Sequence, residues 1–368
     1  MPITTLVRFR FLLLLAAFAG FYNCTPGHLK PTAEEQMFVD KFRSSLSPEY
    51  TNFRIVAAEL KLEVTNIQSI SEDSLKSLNS LNGLPPKTQS SMLIWSSDIR
   101  NYATQKLLQQ SKITPEPDTT FSDSAFGNQI LYWDLSTKNK GKATISRSFK
   151  YLTYDFRAEV DRVAEQQNWH LIPQEISEGY TRAERFLEQE DALIDTVFHL
   201  LADVPDPVSQ AEVIYDWIQK SMTYVYPPEK RGVVNAFKTL KGDCGQYSAL
   251  FITMARIAGI PARQQSGFNF IPGNTGAHVW SEIYLPIKGW VPVDATRKDG
   301  FLHLDNGRLI TSLGLNIPLV NAPDWANFQN SEVENGKTDF MQMFTLASHG
   351  MSADFNSTRR IIYSIEIP

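Results

Sequence analysis

Cys244, His278 and Asp294 are the residues whose types and order could do covalent chemistry in this chain. A cysteine supplies a nucleophile, a histidine moves its proton, and an aspartate fixes the imidazole tautomer and supports its charged form. Taken singly, a cysteine is a small core hydrophobe and a histidine among apolar residues a satisfied core group. Their settings argue otherwise. Lys241-Gly242-Asp243-Cys244-Gly245-Gln246 is a polar turn that opens into an apolar-periodic run in which Tyr247, Leu250, Phe251, Met254 and Ala258 recur at three and four. That is a buried helix face, stopped by Gly259 and Pro261, so Cys244 stands at a helix start. Unpaired N–H groups and the positive end of the helix dipole there favour a thiolate and can hold a developing oxyanion.

The spacing downstream predicts a hairpin. His278–Leu285 reads as one strand and Gly289–Asp294 as its return, joined through Pro286-Ile287-Lys288. Leu285 then pairs with Gly289, and Asp294 falls opposite Trp280, which shares a face with His278. Asp294 and His278 become diagonal neighbours, roughly 7 Å or less apart at Cβ, whereas a one-residue slip would turn Asp294 to the other face. The oxyanion site would use the Cys244 backbone N–H, with Tyr224 in Met222-Thr223-Tyr224-Val225-Tyr226 as a candidate side-chain donor. Tyr224 also reads as a core strand aromatic.

Residues from about 175 to 300 resemble the bacterial transglutaminase-like superfamily, a branch of the papain-like cysteine enzymes. The resemblance rests on Trp217-Ile218, Tyr224, Gly242-x-Cys244, Ala258-Gly259-Ile260-Pro261-Ala262-Arg263, His278-x-Trp280-x-Glu282 and Gly289-Trp290-x-Pro292-x-Asp294-x-Thr296. It implies an α+β fold in which a central helix carrying the cysteine packs on an antiparallel sheet. It also implies a Cys, His, Asp triad at Cys244, His278 and Asp294. Two positions depart from the pattern: Gly245 stands where protein-crosslinking members typically have tryptophan, and Ala295 where proline is commoner. No acidic loop has the oxygen-ligand spacing of a calcium site, and no cofactor or metal is expected.

Composition narrows the partners. The 368 residues carry 35 basic and 40 acidic side chains, and the basic ones form no stripe, so a nucleic-acid partner is not expected. Arg8 and Arg10 precede the apolar run Phe11–Tyr22, shorter than the roughly 20 residues of a membrane span, which reads as an export signal. Phe21-Tyr22-Asn23-Cys24 resembles a relaxed lipoprotein box with Cys24 as the lipidated residue; cleavage after Ala19 is the competing reading. Lipid at Cys24 would tether the protein to a membrane face in the periplasm or at the cell surface. Runs such as Phe53–Val64, Ser91–Trp95, Gln129–Leu135 and Ala143–Phe156, set between Gly, Pro, Ser and Asn turns, predict a β-sandwich ahead of the catalytic domain.

The organisation expected is a signal over 1–23, a tether over 24–47, the sandwich over 48–165, the catalytic domain over 166–300 and a β-rich extension of it over 301–368. A helix is expected from about Val208 to Lys220, and His199, on an apolar helical stripe, is expected in the core. The function expected is an exported thiol enzyme acting through an acyl-enzyme on amide bonds of a peptide, a protein or the cell wall, with hydrolysis favoured over amine transfer. The competing class is a surface lipoprotein that keeps the triad as a relic and serves as a binding or scaffolding module.

Overall fold

A computed structural model describes residues 30–367, apart from 86–87, 138–140 and 328–332. Helix α1 (Ala33–Arg43) opens this region with a reciprocal cap: the Thr32 hydroxyl accepts from the Glu35 N–H, and the Glu35 carboxylate accepts from the Thr32 N–H. Residues 33–43, read from sequence as tether, are therefore folded. Val39 is buried with Phe53 and Tyr154, and Lys150 pairs with Glu35 at 2.7 Å.

Two antiparallel sheets follow. Their elements are β1 (Tyr50–Ser69), α2 (Glu72–Leu81), β2 (Ser91–Ser97), β3 (Gln105–Thr114), β4 (Thr119–Ser122), β5 (Gln129–Asp134) and β6 (Gly141–Arg157). One sheet holds β1, β3 and β6, the other β2, β4 and β5. Their inner faces meet through Leu62, Val64, Met92, Ile94, Leu131, Trp133 and Ile145, the alternating positions of each strand.

Helices α3 (Arg162–Gln167), α4 (Gln174–Thr181), α5 (Asp191–Leu201) and α6 (Pro207–Ser221) follow. Asp206 caps α6 by accepting from the Ser209 N–H at 2.9 Å, with Pro207 in the first turn. The α5 stripe that faces inward is Leu193, Val197 and Leu201. His199 is two residues from Val197 and so lies on the opposite side. It is exposed rather than in the core, with Nδ1 2.7 Å from the Asp195 carbonyl.

Short strands β7 (Thr223–Tyr224) and β8 (Lys241–Gly242) pair in parallel around α7 (Val233–Thr239) and deliver the chain to α8 (Cys244–Ile257). Every residue of α8 from Gln246 to Arg256 is buried, the mark of a helix covered on all sides. Its one cation, Arg256, is satisfied by the carbonyls of Ala262 and Arg182 and by Glu184. The sheet behind α8 has the order β11, β10, β9, β13, from β9 (Ala262–Asn269), β10 (Ala277–Leu285), β11 (Gly289–Val293) and, after β12 (His303–Leu304), β13 (Arg308–Leu313). Gly267 is required where β9 meets β13, since a Cβ there would lie 1.8 Å from the Leu309 carbonyl oxygen.

The chain ends divide themselves between the sheets. After a small sheet of β14 (Ile317–Pro318), β15 (Val333–Glu334) and β16 (Lys337–Thr338), strand β17 (Thr345–His349) pairs with β2, and β18 (Met351–Glu366) pairs with β1 along most of its length. The described residues after 300 thus supply β13 to the sheet behind α8 and β12, β17 and β18 to the sandwich sheets, where the sequence predicts a β-rich extension of the catalytic domain. From Pro31 onward the chain forms one compact unit. Among the described residues no helix is long and apolar enough to cross a membrane.

Candidate active site

Cys244 is the first residue of α8, and the turn before it explains why. Gly242 lies so close to the first turn that a Cβ would sit 2.2 Å from Gln246 Cβ. Asp243 is the N-cap, its Oδ1 accepting from the N–H groups of Gly245 at 3.0 Å and Gln246 at 3.3 Å. Arg231 balances that carboxylate through Nη1, 3.0 and 2.8 Å from its two oxygens. The cap occupies the N–H groups after Cys244, and the Tyr224 hydroxyl stands near enough to Cys244 for it to shift the phenol's titration. Tyr224 is not a core aromatic: its side chain is exposed. Although the ring is exposed, partial desolvation on its Cys244 side, together with the charges of Cys244 and Asp243, pushes its pKa up to about 12, so it remains a donor at neutral pH.

The hairpin has the register the loop length predicts, with Leu285 opposite Gly289 and Ser281 opposite Val293. Asp294 therefore comes off the end of β11 on the His278 side. His278 Nε2 donates to Asp294 Oδ2 at 2.7 Å. With Nε2 taken by Asp294, Nδ1 is the ring nitrogen left to the Cys244 thiol, whose proximity also raises the His278 pKa. Trp280 lies flat against the imidazole, ring centroids 5.7 Å apart and planes 22° off parallel. Burial alone would lower the His278 pKa, but the charge and hydrogen bond of Asp294, with the Cys244 contact, outweigh it and raise it to about 9. Asp294 is buried too, yet His278 and Arg308 hold its carboxyl well below the usual carboxylate range.

Two partners of Asp294 were missed in the sequence. Arg308, at the start of β13, donates through Nη2 to Asp294 Oδ2 at 2.9 Å, and Thr296 donates to Oδ1 through its N–H at 3.1 Å and its hydroxyl at 2.6 Å. Thr296 was within reach, because a Thr two residues after an Asp often closes such a turn. Arg308 was not, since nothing in local spacing says which strand lies beside β9. Cys244, His278, Asp294 and Tyr224 are thus brought together, while Cys24 lies outside the described residues. A separate cleft of about 540 Å³, lined by Asn52, Asp155, Arg297, Asp305 and Glu366, includes neither Cys244 nor His278. Among the described residues no group of three His, Cys, Asp or Glu is placed to hold a metal ion.

Residues 194–295 match the model of the transglutaminase-like superfamily, a span that contains Tyr224, Cys244, His278 and Asp294. The chain carries a transglutaminase-like domain. Curated relatives of this domain include the uncharacterized protein YebA of Bacillus subtilis, 26% identical over 147 residues, which are 33% of this chain and 20% of YebA. A protein-glutamine gamma-glutamyltransferase of Pseudomonas aeruginosa is 29% identical over 97 residues, 24% of this chain and 14% of that one. The chain therefore spans only a minor part of these relatives. Among solved structures, a candidate cysteine protease from Cytophaga hutchinsonii superposes with a TM-score of 0.55 at 16% identity, covering 84% of this chain and 93% of that one. That likeness establishes the fold: α+β, with a β-rich N-terminal region and a papain-like core built on α8.

Proposed function

We propose that the protein is a thiol enzyme that opens amide bonds of a peptide, protein or cell-wall substrate through an acyl-enzyme on Cys244, and that water is the usual acyl acceptor. The observation that carries this is His278, hydrogen-bonded to Asp294 at 2.7 Å and near enough to the Cys244 thiol for it to raise the imidazole pKa. Sulfur attacks the carbonyl carbon with its proton already held on His278 Nδ1, because Asp294 stabilises the imidazolium. The oxyanion is received by the Cys244 N–H and the Tyr224 O–H. As the C–N bond breaks, His278 returns the proton to the leaving amine, and the acyl group remains on sulfur as a thioester. In the second half His278 takes a proton from water, hydroxide attacks the thioester, and the proton goes back to sulfur as the acid leaves.

The preference for water rests on Gly245. A transferase has to shield its thioester, usually with aromatic walls, and this position has none. The space a side chain would take is bounded instead by Arg231 Nη1, 3.1 Å from where its Cβ would be, and a crevice lined by Arg231, Gly245, Gln246 and Phe340 opens there. Peptides and wall fragments incubated with the protein and excess primary amine should give mainly free acid and a trappable acyl adduct on Cys244, both read by mass spectrometry. Dominant amine-conjugated product would make it a transferase, and no adduct at all would leave the binding-module reading.

Membrane attachment is proposed from the sequence around Cys24 alone. Cys24→Ala should move the protein from the membrane to the soluble fraction, because acyl chains would supply the membrane affinity. Unchanged recovery with the membrane contradicts it.

A further inference from the structure

The segment that carries His278 to the site is held from outside the matched domain. β9 and β10 face each other with His278 opposite Gly267, and the loop between them exposes Ile271 to Asn274. The loop closes through the Asn269 N–H to Gly276 carbonyl bond and the reciprocal Ile271–Asn274 pair, which tie its residues only to one another. Donors from elsewhere fix it to the rest of the fold. Gln342, in the turn before β17, gives its side-chain N–H groups to the carbonyls of Gly267 at 3.1 Å and His278 at 2.9 Å. Arg359 of β18 donates through Nε to the Thr275 carbonyl at 2.6 Å, its guanidinium 5.2 Å from the centre of the Phe268 ring. Arg54 of β1 donates to the Phe270 carbonyl, and Arg308 to the Asn269 side chain. All four donors lie outside residues 194–295.

We propose that Gln342 and Arg359 are positioning residues for His278, a role that rests on reading Cys244, His278 and Asp294 as the acyl-transfer triad. The two hydrogens of a planar amide have fixed directions, and Gln342 places both on one rung of the β9–β10 ladder, the rung that ends in the catalytic imidazole. The ring must keep Nε2 on Asp294 at 2.7 Å while it turns Nδ1 towards Cys244, so a small rotation of its main chain costs one or the other. The segment bearing Gln342 does not depend on that side chain: the Met341 carbonyl accepts from the Thr311 and Ser312 hydroxyls at 2.9 and 2.7 Å. Around the imidazole stand the charges of Asp294 and Arg308, the Cys244 thiol and the Trp280 ring. Gln342 is neutral, and its amide bonds backbone there. A Gln342→Met change therefore leaves the charges in place, and a changed pH profile reports geometry.

The test is the rate of Cys244 alkylation by iodoacetamide as a function of pH, read by mass spectrometry on the full chain. It needs no knowledge of the substrate. The wild type should react faster than a free cysteine at pH 6 to 7, with an inflection imparted by His278. Gln342→Met should unfold at the wild-type temperature yet react ~10-fold to 100-fold more slowly in that range, the scale of a misplaced catalytic group, and should lose the inflection. Arg359→Met should behave alike, with Arg359→Lys restoring part of the rate; this pair decides the matter if Gln342→Met does not fold. A wild-type profile like that of free cysteine would overturn the triad and the proposal together. A wild-type inflection that survives unchanged in both Met variants would overturn the positioning role alone.

Discussion

Asp294→Asn should cut turnover by about 10⁴-fold, the scale seen when an amide replaces the orienting carboxylate of a triad. The carboxylate accepts from four donors: His278 and Arg308 on one oxygen, the Thr296 N–H and hydroxyl on the other. An amide places an N–H₂ on one side, and either choice sets donor against donor wherever His278, Arg308 or the Thr296 N–H is faced. The imidazolium loses its counter-charge as well. In the wild type, His278 should lose its proton near pH 9, giving turnover an alkaline limb there; in the variant that limb should move down. The pair also contributes to stability. The His278 share is complete below its ordinary value of 6.5 and is lost as pH rises through about 9, while the Asp294 share is present above 3.8 and is lost as pH falls below it. Turnover against pH with thermal unfolding in parallel checks both, and a variant with wild-type turnover would remove Asp294 from the mechanism.

Cys244→Ala should abolish turnover, a loss of about 10⁶-fold if the triad acts as a unit, and leave the fold unchanged. The side chain is only partly buried at the edge of the core, and the packing of α8 begins with Gln246 and Tyr247. The Asp243 cap is independent of the thiol. Near-ultraviolet circular dichroism should overlay that of the wild type while acyl-adduct formation disappears. Residual turnover close to wild type would place the chemistry elsewhere. The combination of intact fold and lost reaction separates a nucleophile from a core cysteine, whose replacement by alanine would leave the reaction alone.

The parts of this site legible in the sequence are those set by short-range geometry. The start of α8 follows from a polar turn and a 3.6-residue period, and the place of Asp294 from a three-residue loop and the alternation of a strand. The strands Phe53–Val64 and Gln129–Leu135 were visible for the same reason and correspond to β1 and β5. What was hidden depends on which strand lies beside which. Arg308, Gln342 and Arg359 reach the site only because β13 pairs with β9 and because the chain after it returns across the sandwich. Their local sequences contain no motif. His199 fails for a different reason, since a stripe of apolar residues says that a helix has a buried face but leaves its neighbours' side of the boundary to be fixed by packing.

The long pairing of β1 with β18 has a consequence for the order in which the protein is made. β1 is made well before its partner along one edge, β18, with register contacts from Arg54 with Glu366 to Ser69 with Met351. Until β18 is made that edge of β1 lacks the partner that meets it, and closing it requires a contact between segments far apart in sequence. Gln342 and Arg359 arrive in the same late stretch. A nascent chain that already contains Cys244, His278 and Asp294 therefore still lacks two of the contacts that hold the imidazole in place, and its sandwich is finished in the same step that supplies them.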